Sequence, residues 1–433
     1  MPDEQGPRLL RALRHRNYRL FFGGQSVSLI GTWITRVATS WLVYRLTGSA
    51  LLLGIVGFCG QIPTLLLSPV AGVLVDRHNR HRILLITQVL SMLQSLALAL
   101  LALPKIITVG EILGLQVVQG IINAFDTPAR QSFIVDMIED RADLPNAIAL
   151  NSTMVNGSRI IGPSIGGVVI AAVGEGWCFM LDAVSYLAVI ASLLAMRVAR
   201  KPRPQTVGSV LDELRAGFRY VSRSTPMRES LLLLALVATM GMPYTVLMPA
   251  IASVRLHGGP HTLGFLMTAS GLGALAGALY LASRNSVLGL GRAMVLSTIA
   301  FGIGLAAFSQ SRVLWLSLLL LPVVGGGMMV ETAATNNILQ TIVEEQMRGR
   351  VMSFYTMAFL GTAPLGSLIA DVAADRIGAP TTILLGGIAC VAAGRFGIAP
   401  GRTSPVSRWQ QRAAGFETKG SGIGDTTRSL SHS

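Results

Sequence analysis

Residues 46–82 read LTGSALLLGIVGFCGQIPTLLLSPVAGVLVDRHNRHR. The first part of this stretch, Leu46–Val75, carries no charged side chain, and the second, Asp76–Arg82, is made of charged and polar groups alone. A helix needs roughly 20 apolar residues to cross the hydrocarbon core of a bilayer, so the switch at Val75 marks where a membrane-crossing helix meets water. The alternation recurs: Ile83–Pro104, Ser230–Val254, Thr262–Ser283 and Ala293–Ser311 are also free of charge. Of the 433 residues 51% are hydrophobic and only 13% charged, with a mean hydropathy of +0.58. Soluble domains carry about 25% charge. So little charge cannot cover a water-soluble protein of this size.

Outward from that stretch, the apolar runs predict twelve helical spans. They lie near 20–44, 50–75, 83–103, 106–126, 145–173, 177–197, 229–253, 262–283, 292–311, 313–333, 351–372 and 379–398. The chain reads as an all-α membrane protein, its twelfth span short or irregular because Arg395 interrupts it and Pro400 follows. Six spans fall in 1–197 and six in 229–400. Between them, 198–228 is a basic central loop, where Leu211, Leu214, Phe218 and Val221 recur at helical spacing among Arg215, Arg219 and Arg223. That pattern suits either a helix lying flat on the membrane surface or a solvated linker. The polar tail, 401–433, is expected to be disordered.

The net charge of +14 does not imply nucleic acid, because the basic residues sit in the loops between spans. With the amino terminus placed inside, 28 of the 35 Lys and Arg fall in inner segments. Only Arg45, Lys105, Arg255, Arg312 and Arg376 fall in outer ones. By the positive-inside rule both termini are cytoplasmic. Three cysteines, Cys59, Cys178 and Cys390, lie in or beside apolar runs with no metal or disulfide spacing. They read as small buried hydrophobes. His78, His81, His257 and His261 fall in loops and read as solvated.

Two motifs carry the functional reading. In the first, Gly72 stands in a helix that ends on Asp76-Arg77, followed by Arg80 and Arg82. Glycine lets helices approach closely, and an Asp at a helix end can pair with an Arg or cap a neighbouring helix. Such a latch can hold a gate and release on a change of charge. Asp126, at the inner end of the fourth span and followed by Arg130, is placed to join Asp76 and Arg77. In the second motif, Gly157 precedes Gly162-Pro163-Ser164-Ile165-Gly166-Gly167. Glycine and proline are costly in an isolated helix but fit where helices pack tightly and bend.

The Gly72–Arg82 run resembles the signature loop of the major facilitator superfamily, and the Gly157–Gly167 run resembles that superfamily's antiporter signature. The stretches Phe125-Asp-Thr-Pro-Ala-Arg-Gln-Ser-Phe133 and Leu144-Pro-Asn-Ala-Ile-Ala-Leu-Asn151, with Glu331-Thr-Ala-Ala-Thr-Asn336 and Arg348-Gly-Arg350, are similar to the enterobactin-exporter and macrolide-efflux branch. The resemblance covers about residues 8–394. It implies two six-helix bundles around a central cavity, rocking to give alternating access, and export rather than uptake. The pattern departs in three places. Gln116 stands where the superfamily often carries an arginine before Gln119-Gly120, the 284–292 loop has no Asp-Arg pair, and the likeness ends after Gly394.

Charges inside a membrane are costly unless paired or facing water. Arg36, Arg159, Asp182 and Glu331 lie within spans and are the candidate coupling or cavity residues. For Arg159 and Asp182 a structural pair is an equal reading. Asp371 and Glu111, at outer span ends, read as wetted. No phosphate-cradling glycine loop, zinc-protease helix or nucleophile elbow is present, which argues against an ATPase or an intramembrane hydrolase. The expected function is proton-coupled export of a small amphipathic molecule such as a drug or siderophore, with Glu331 or Asp182 taking the proton. No cofactor is expected beyond the proton gradient. The expected partners are the small-molecule substrate and the lipid bilayer of a bacterial plasma membrane, with the chain acting as a monomer. A non-transporting membrane sensor or assembly partner of the same fold is the alternative.

Overall fold

The computed structural model describes residues 8–138, 140, 143–197, 210–284, 289–344 and 347–396. The polar tail and residues 198–209 fall outside them. Among the described residues there is no strand. Six long helices come first: α1 (Arg16–Thr47), α2 (Ala50–Arg77), α3 (Arg80–Ala102), α4 (Val109–Met137), α5 (Leu144–Val173) and α6 (Glu175–Leu194). A shorter helix, α7 (Val210–Arg223), leads to the second group. That group comprises α8 (Thr225–Leu236), α9 (Tyr244–Ala250), α10 (Pro260–Ala282), α11 (Leu290–Gln310), α12 (Leu314–Ile342), α13 (Arg348–Thr356), α14 (Thr362–Ile377) and α15 (Ala379–Phe396). Helices α8 and α9 are separated by a π-helical turn, Val237–Gly241, and α13 and α14 by another, Met357–Gly361.

The helix ends follow local chemistry. Gly48 closes α1 in the left-handed conformation at φ 63°, which glycine adopts without a Cβ clash. The Ser49 side chain then caps α2. Asn79 accepts from the backbone N–H of His81 and Arg82 and so starts α3 inside the basic loop. Thr108 and Glu111 form a reciprocal capping box at the start of α4.

Eight helices or helix pairs are long and apolar enough to cross a membrane. Helices α1, α4 and α5 are long but more polar, and α15 is a shorter apolar helix. Large side chains such as Leu66, Leu100, Leu187, Leu279, Trp315 and Leu319 are more than half exposed. In water that would be an anomaly; against lipid it is the expected apolar belt. The chain is therefore a multi-pass membrane protein.

The interior is divided unevenly. One hydrophobic cluster runs through both groups, from Ile34, Leu42, Leu53 and Phe179 to Tyr244, Leu247, Phe301 and Phe308. These residues lie from the middle of their helices, as at Ile34 and Phe301, to the end away from the chain termini. At the terminal end the groups have separate clusters. Phe21, Phe133 and Met137 belong to the first group, Met294 and Ile338 to the second. The groups meet where α5 packs on α10 and α2 on α14, with α9 touching α1 and α2. The apolar interior is thus shared by the two groups toward the far end and separate at the terminal end.

Helix α7 packs against α13, and its Val221 is buried with Met227, Leu231, Val343 and Val351. The described part of the central segment, Val210–Arg223, is accordingly a packed helix, although Phe218 remains 64% exposed. Helix α4 runs through Pro128 to Met137, eleven residues past the sequence expectation. Asp126 and Arg130 consequently lie within a helix and not at its mouth.

Candidate functional site

Helix α5 is wedged between the groups by its small residues. A Cβ on Gly162 would sit 3.0 Å from the carbonyl oxygen of Ile30, and one on Gly166 3.3 Å from the Ile34 Cα, so these two glycines admit α1. On the other face a Cβ on Gly167 would lie 3.0 Å from the Gly264 Cα, and one on Gly264 2.6 Å from the Pro163 carbonyl oxygen. The hydroxyls of Ser164 and Thr268 bond across this seam at 2.6 Å, and Thr268 also donates to the Ile160 carbonyl at 3.3 Å. Among the described residues nothing lies within 4 Å of a Cβ built on Gly72 or Gly157. The close-approach reading therefore fits Gly162, Gly166 and Gly167 and does not fit those two.

The approach at Gly162 brings the α5 side chain one turn earlier, Arg159, over Trp33 of α1. Its guanidinium carbon lies 5.8 Å from the ring centroid, and that of Arg36 lies 4.7 Å from the same ring. Arg36 is exposed and Arg159 half-buried, although both are mid-helix. Neither has a carboxylate within 4.0 Å among the described residues. Tyr244, in the broken α8–α9 span, donates to or accepts from Ser270 of α10 at 2.7 Å. Arg159 lies within electrostatic reach of both Arg36 and Tyr244. The arginine pair thus faces the boundary between the groups. Trp33 was not singled out by sequence, although its i, i+3 spacing to Arg36 was a legible signal.

The other candidates lie inside the groups. Asp182 is 2% exposed and accepts from the Ser95 hydroxyl at 2.7 Å, while its Oδ1 finds no partner. Asp126 accepts from Thr87 at 3.0 Å and Gln88 at 2.7 Å, and its Oδ2 lies 3.5 Å from Arg130. It does not join Arg77, which is exposed, as is Arg82; the Asp76 side chain lies outside the described residues. Arg80 instead ties α3 to α4, donating to the Ser132 carbonyl at 3.1 Å and pairing with Asp136 at 3.3 Å. Asp136, three residues past the Phe125–Phe133 motif, was missed by sequence reading. Glu331 is wholly buried within the second group, where Thr335 and Thr332 each donate to it at 3.3 Å.

Two loop-side expectations need correction. His81 is not solvated: its Nε2 meets the Leu193 carbonyl at 2.8 Å and its ring packs 5.8 Å from Phe133. Asp371 is not wetted either. It is 0% exposed, pressed on Gly54 at the α2–α14 contact, with neither carboxylate oxygen hydrogen-bonded.

The sequence model of the transmembrane secretion effector family matches residues 9–408, fourteen residues beyond the point where the likeness was expected to end. The staphyloferrin A transporter of Staphylococcus aureus is 28% identical over 378 residues, 86% of this chain and 93% of that protein. The multidrug efflux pump Tap of Mycolicibacterium fortuitum is 30% identical over 364 residues, 82% of this chain and 88% of that protein. Among solved structures, a bacterial homologue of the human lysosomal transporter Spinster, in an inward-facing and unoccupied conformation, superposes with a TM-score of 0.63. That likeness spans 94% of this chain and 99% of the other at 15% identity, which speaks to the fold alone. A bilayer-crossing helical fold, together with a match over nearly the whole sequence, places this chain in the transmembrane secretion effector family of the major facilitator superfamily.

Proposed function

We propose that the chain is a proton-coupled exporter of a small amphipathic molecule, working by alternating access in a bacterial plasma membrane. The observation that carries the reading is the uneven core. A single apolar cluster joins the groups toward the far end, while at the terminal end each group has its own. An exporter loading from the cytoplasm needs that shape in one of its states. The distribution of Lys and Arg supports cytoplasmic termini, which makes the end with separate clusters the inner one. In this reading the chain has twelve spans in two six-helix bundles, 1–197 and 229–400, with α8–α9 and α13–α14 each serving as one broken span. Broken helices beside a mid-membrane site are a recurrent transporter device, and π-turns cluster at functional sites.

The named relatives, a siderophore transporter and a multidrug pump, support a drug-like or siderophore-like substrate. Protons would couple through a buried carboxylate, Glu331 or Asp182, whose charge a proton from outside neutralises as substrate leaves. The Gly72–Arg82 loop, with Asp126 and Arg130, would set the inner gate. The test begins with the compounds a deletion strain fails to export, followed in proteoliposomes under an imposed pH gradient. Export should stop when the gradient collapses. Export indifferent to pH would end the coupling claim, and an intact strain that exports nothing would favour the sensor alternative.

A further inference from the structure

We propose that Arg36 and Arg159, each set over the ring of Trp33, form the recognition site for a carboxylate-bearing organic anion. The proposal rests on the exporter reading and narrows its substrate class. The two guanidiniums share one indole at 4.7 and 5.8 Å, midway along helices that cross the membrane.

Three other arginines of the first group are matched with acids. Arg45 meets Glu175 at 2.8 Å, Arg80 meets Asp136 at 3.3 Å, and Arg130 meets Asp126 at 3.5 Å. At mid-membrane the matching stops. Asp182, Glu331 and Asp371 are buried elsewhere, and none is brought within 4.0 Å of Arg36 or Arg159. Two like charges repel, and the π face of one tryptophan offsets only part of their cost. A structural pair would have placed a carboxylate between them. What fits instead is a missing counter-charge, supplied by a ligand entering between the groups. Guanidinium forks bind carboxylates in bidentate fashion.

Trp33 is also the reporter. The full-length protein in detergent is titrated at constant ionic strength with phthalate and citrate, with neutral dimethyl phthalate, and with the cation benzyltrimethylammonium. The expected result is a saturable change in tryptophan fluorescence with the anions alone, absent in Trp33→Phe. Affinity should fall roughly tenfold to a hundredfold in Arg36→Gln or Arg159→Gln, as for loss of a charged hydrogen bond, and recover in part in the Lys variants. Unchanged melting of the variants excludes a folding defect. No saturable response to either anion, an equal response to the diester or the cation, or undiminished binding by both Gln variants overturns the proposal. Proteoliposomes separate the two readings. Anion export by the Gln variants at the wild-type rate overturns this site and leaves the exporter standing. Anion binding without export of any compound supports the site and removes the exporter.

Discussion

Asp143 shows how much a single loop carboxylate can organise. It receives Arg14 at 2.8 Å and His15 at 3.0 Å, while Asn146 accepts from the Ala12 N–H at 2.9 Å and Tyr18 donates to the Ala147 carbonyl at 2.7 Å. Together these bonds latch the amino-terminal segment to the start of α5. Burial pushes the Asp143 carboxyl up, but the His15 hydrogen bond and the Arg14 charge outweigh it and hold it below its ordinary value. A carboxyl lowered in the folded state stabilises above the unfolded value, about 3.9, and that contribution is lost as pH falls through the folded value. In thermal unfolding, wild type should exceed Asp143→Asn at pH 6, and the gap should close toward pH 3. A gap unchanged over that range would show that charge plays no part. The Leu144–Asn151 stretch was legible as a motif, but its role was not, because its partners lie more than 120 residues away in sequence. Asp371 was misread for the same reason: hydropathy places it near a helix end, and only the packing of α2 shows that it is buried.

At the scale of the element, α5 illustrates which parts of a helix sequence predicts. Its Gly-Pro run announced close packing, and a Cβ on Gly162, Gly166 or Gly167 would indeed come within 3.3 Å of a neighbouring helix. Which face each glycine serves was not legible, because that depends on two helices from different halves of the chain. Hydropathy underrates α1, α4 and α5 for a related physical reason. Their polar side chains, such as Gln25, Ser28, Asp126 and Ser158, are buried against other helices and need not face lipid. Gly264 supplies the partner surface on α10. A methyl there would press on the Pro163 carbonyl, so Gly264→Ala is expected to cost roughly 1–3 kcal/mol, the scale of overpacking a filled interface. The same change at Gly157, where nothing lies within 4 Å among the described residues, should leave the melting midpoint unchanged or raise it, since alanine favours helix. Equal losses at the two positions in differential scanning fluorimetry would contradict the wedge.

For the whole molecule, the two halves must be able to part at the far end if substrate is to leave there. Helix α2 packs against α14 toward that end, and Gly54 and Asp371 meet in this contact. A Cβ built on Gly54 lies 3.0 Å from the Asp371 Cβ, slightly inside the 3.5–4.5 Å that disulfides span. Gly54→Cys with Asp371→Cys, in a chain whose three native cysteines are replaced by serine or alanine, should therefore oxidise with a small shift of the helices. The bond would fix the far end shut while leaving the terminal end as it is. Oxidised protein in vesicles should lose export, and reduction should restore it to the level of the reduced control. Anion binding from the terminal end should persist in both forms, because Arg36 and Arg159 lie below the closed contact. Full export by a fully cross-linked sample would mean that substrate does not pass between α2 and α14. The alternating movement of the two groups would then have to be abandoned for this chain, even with its family membership intact.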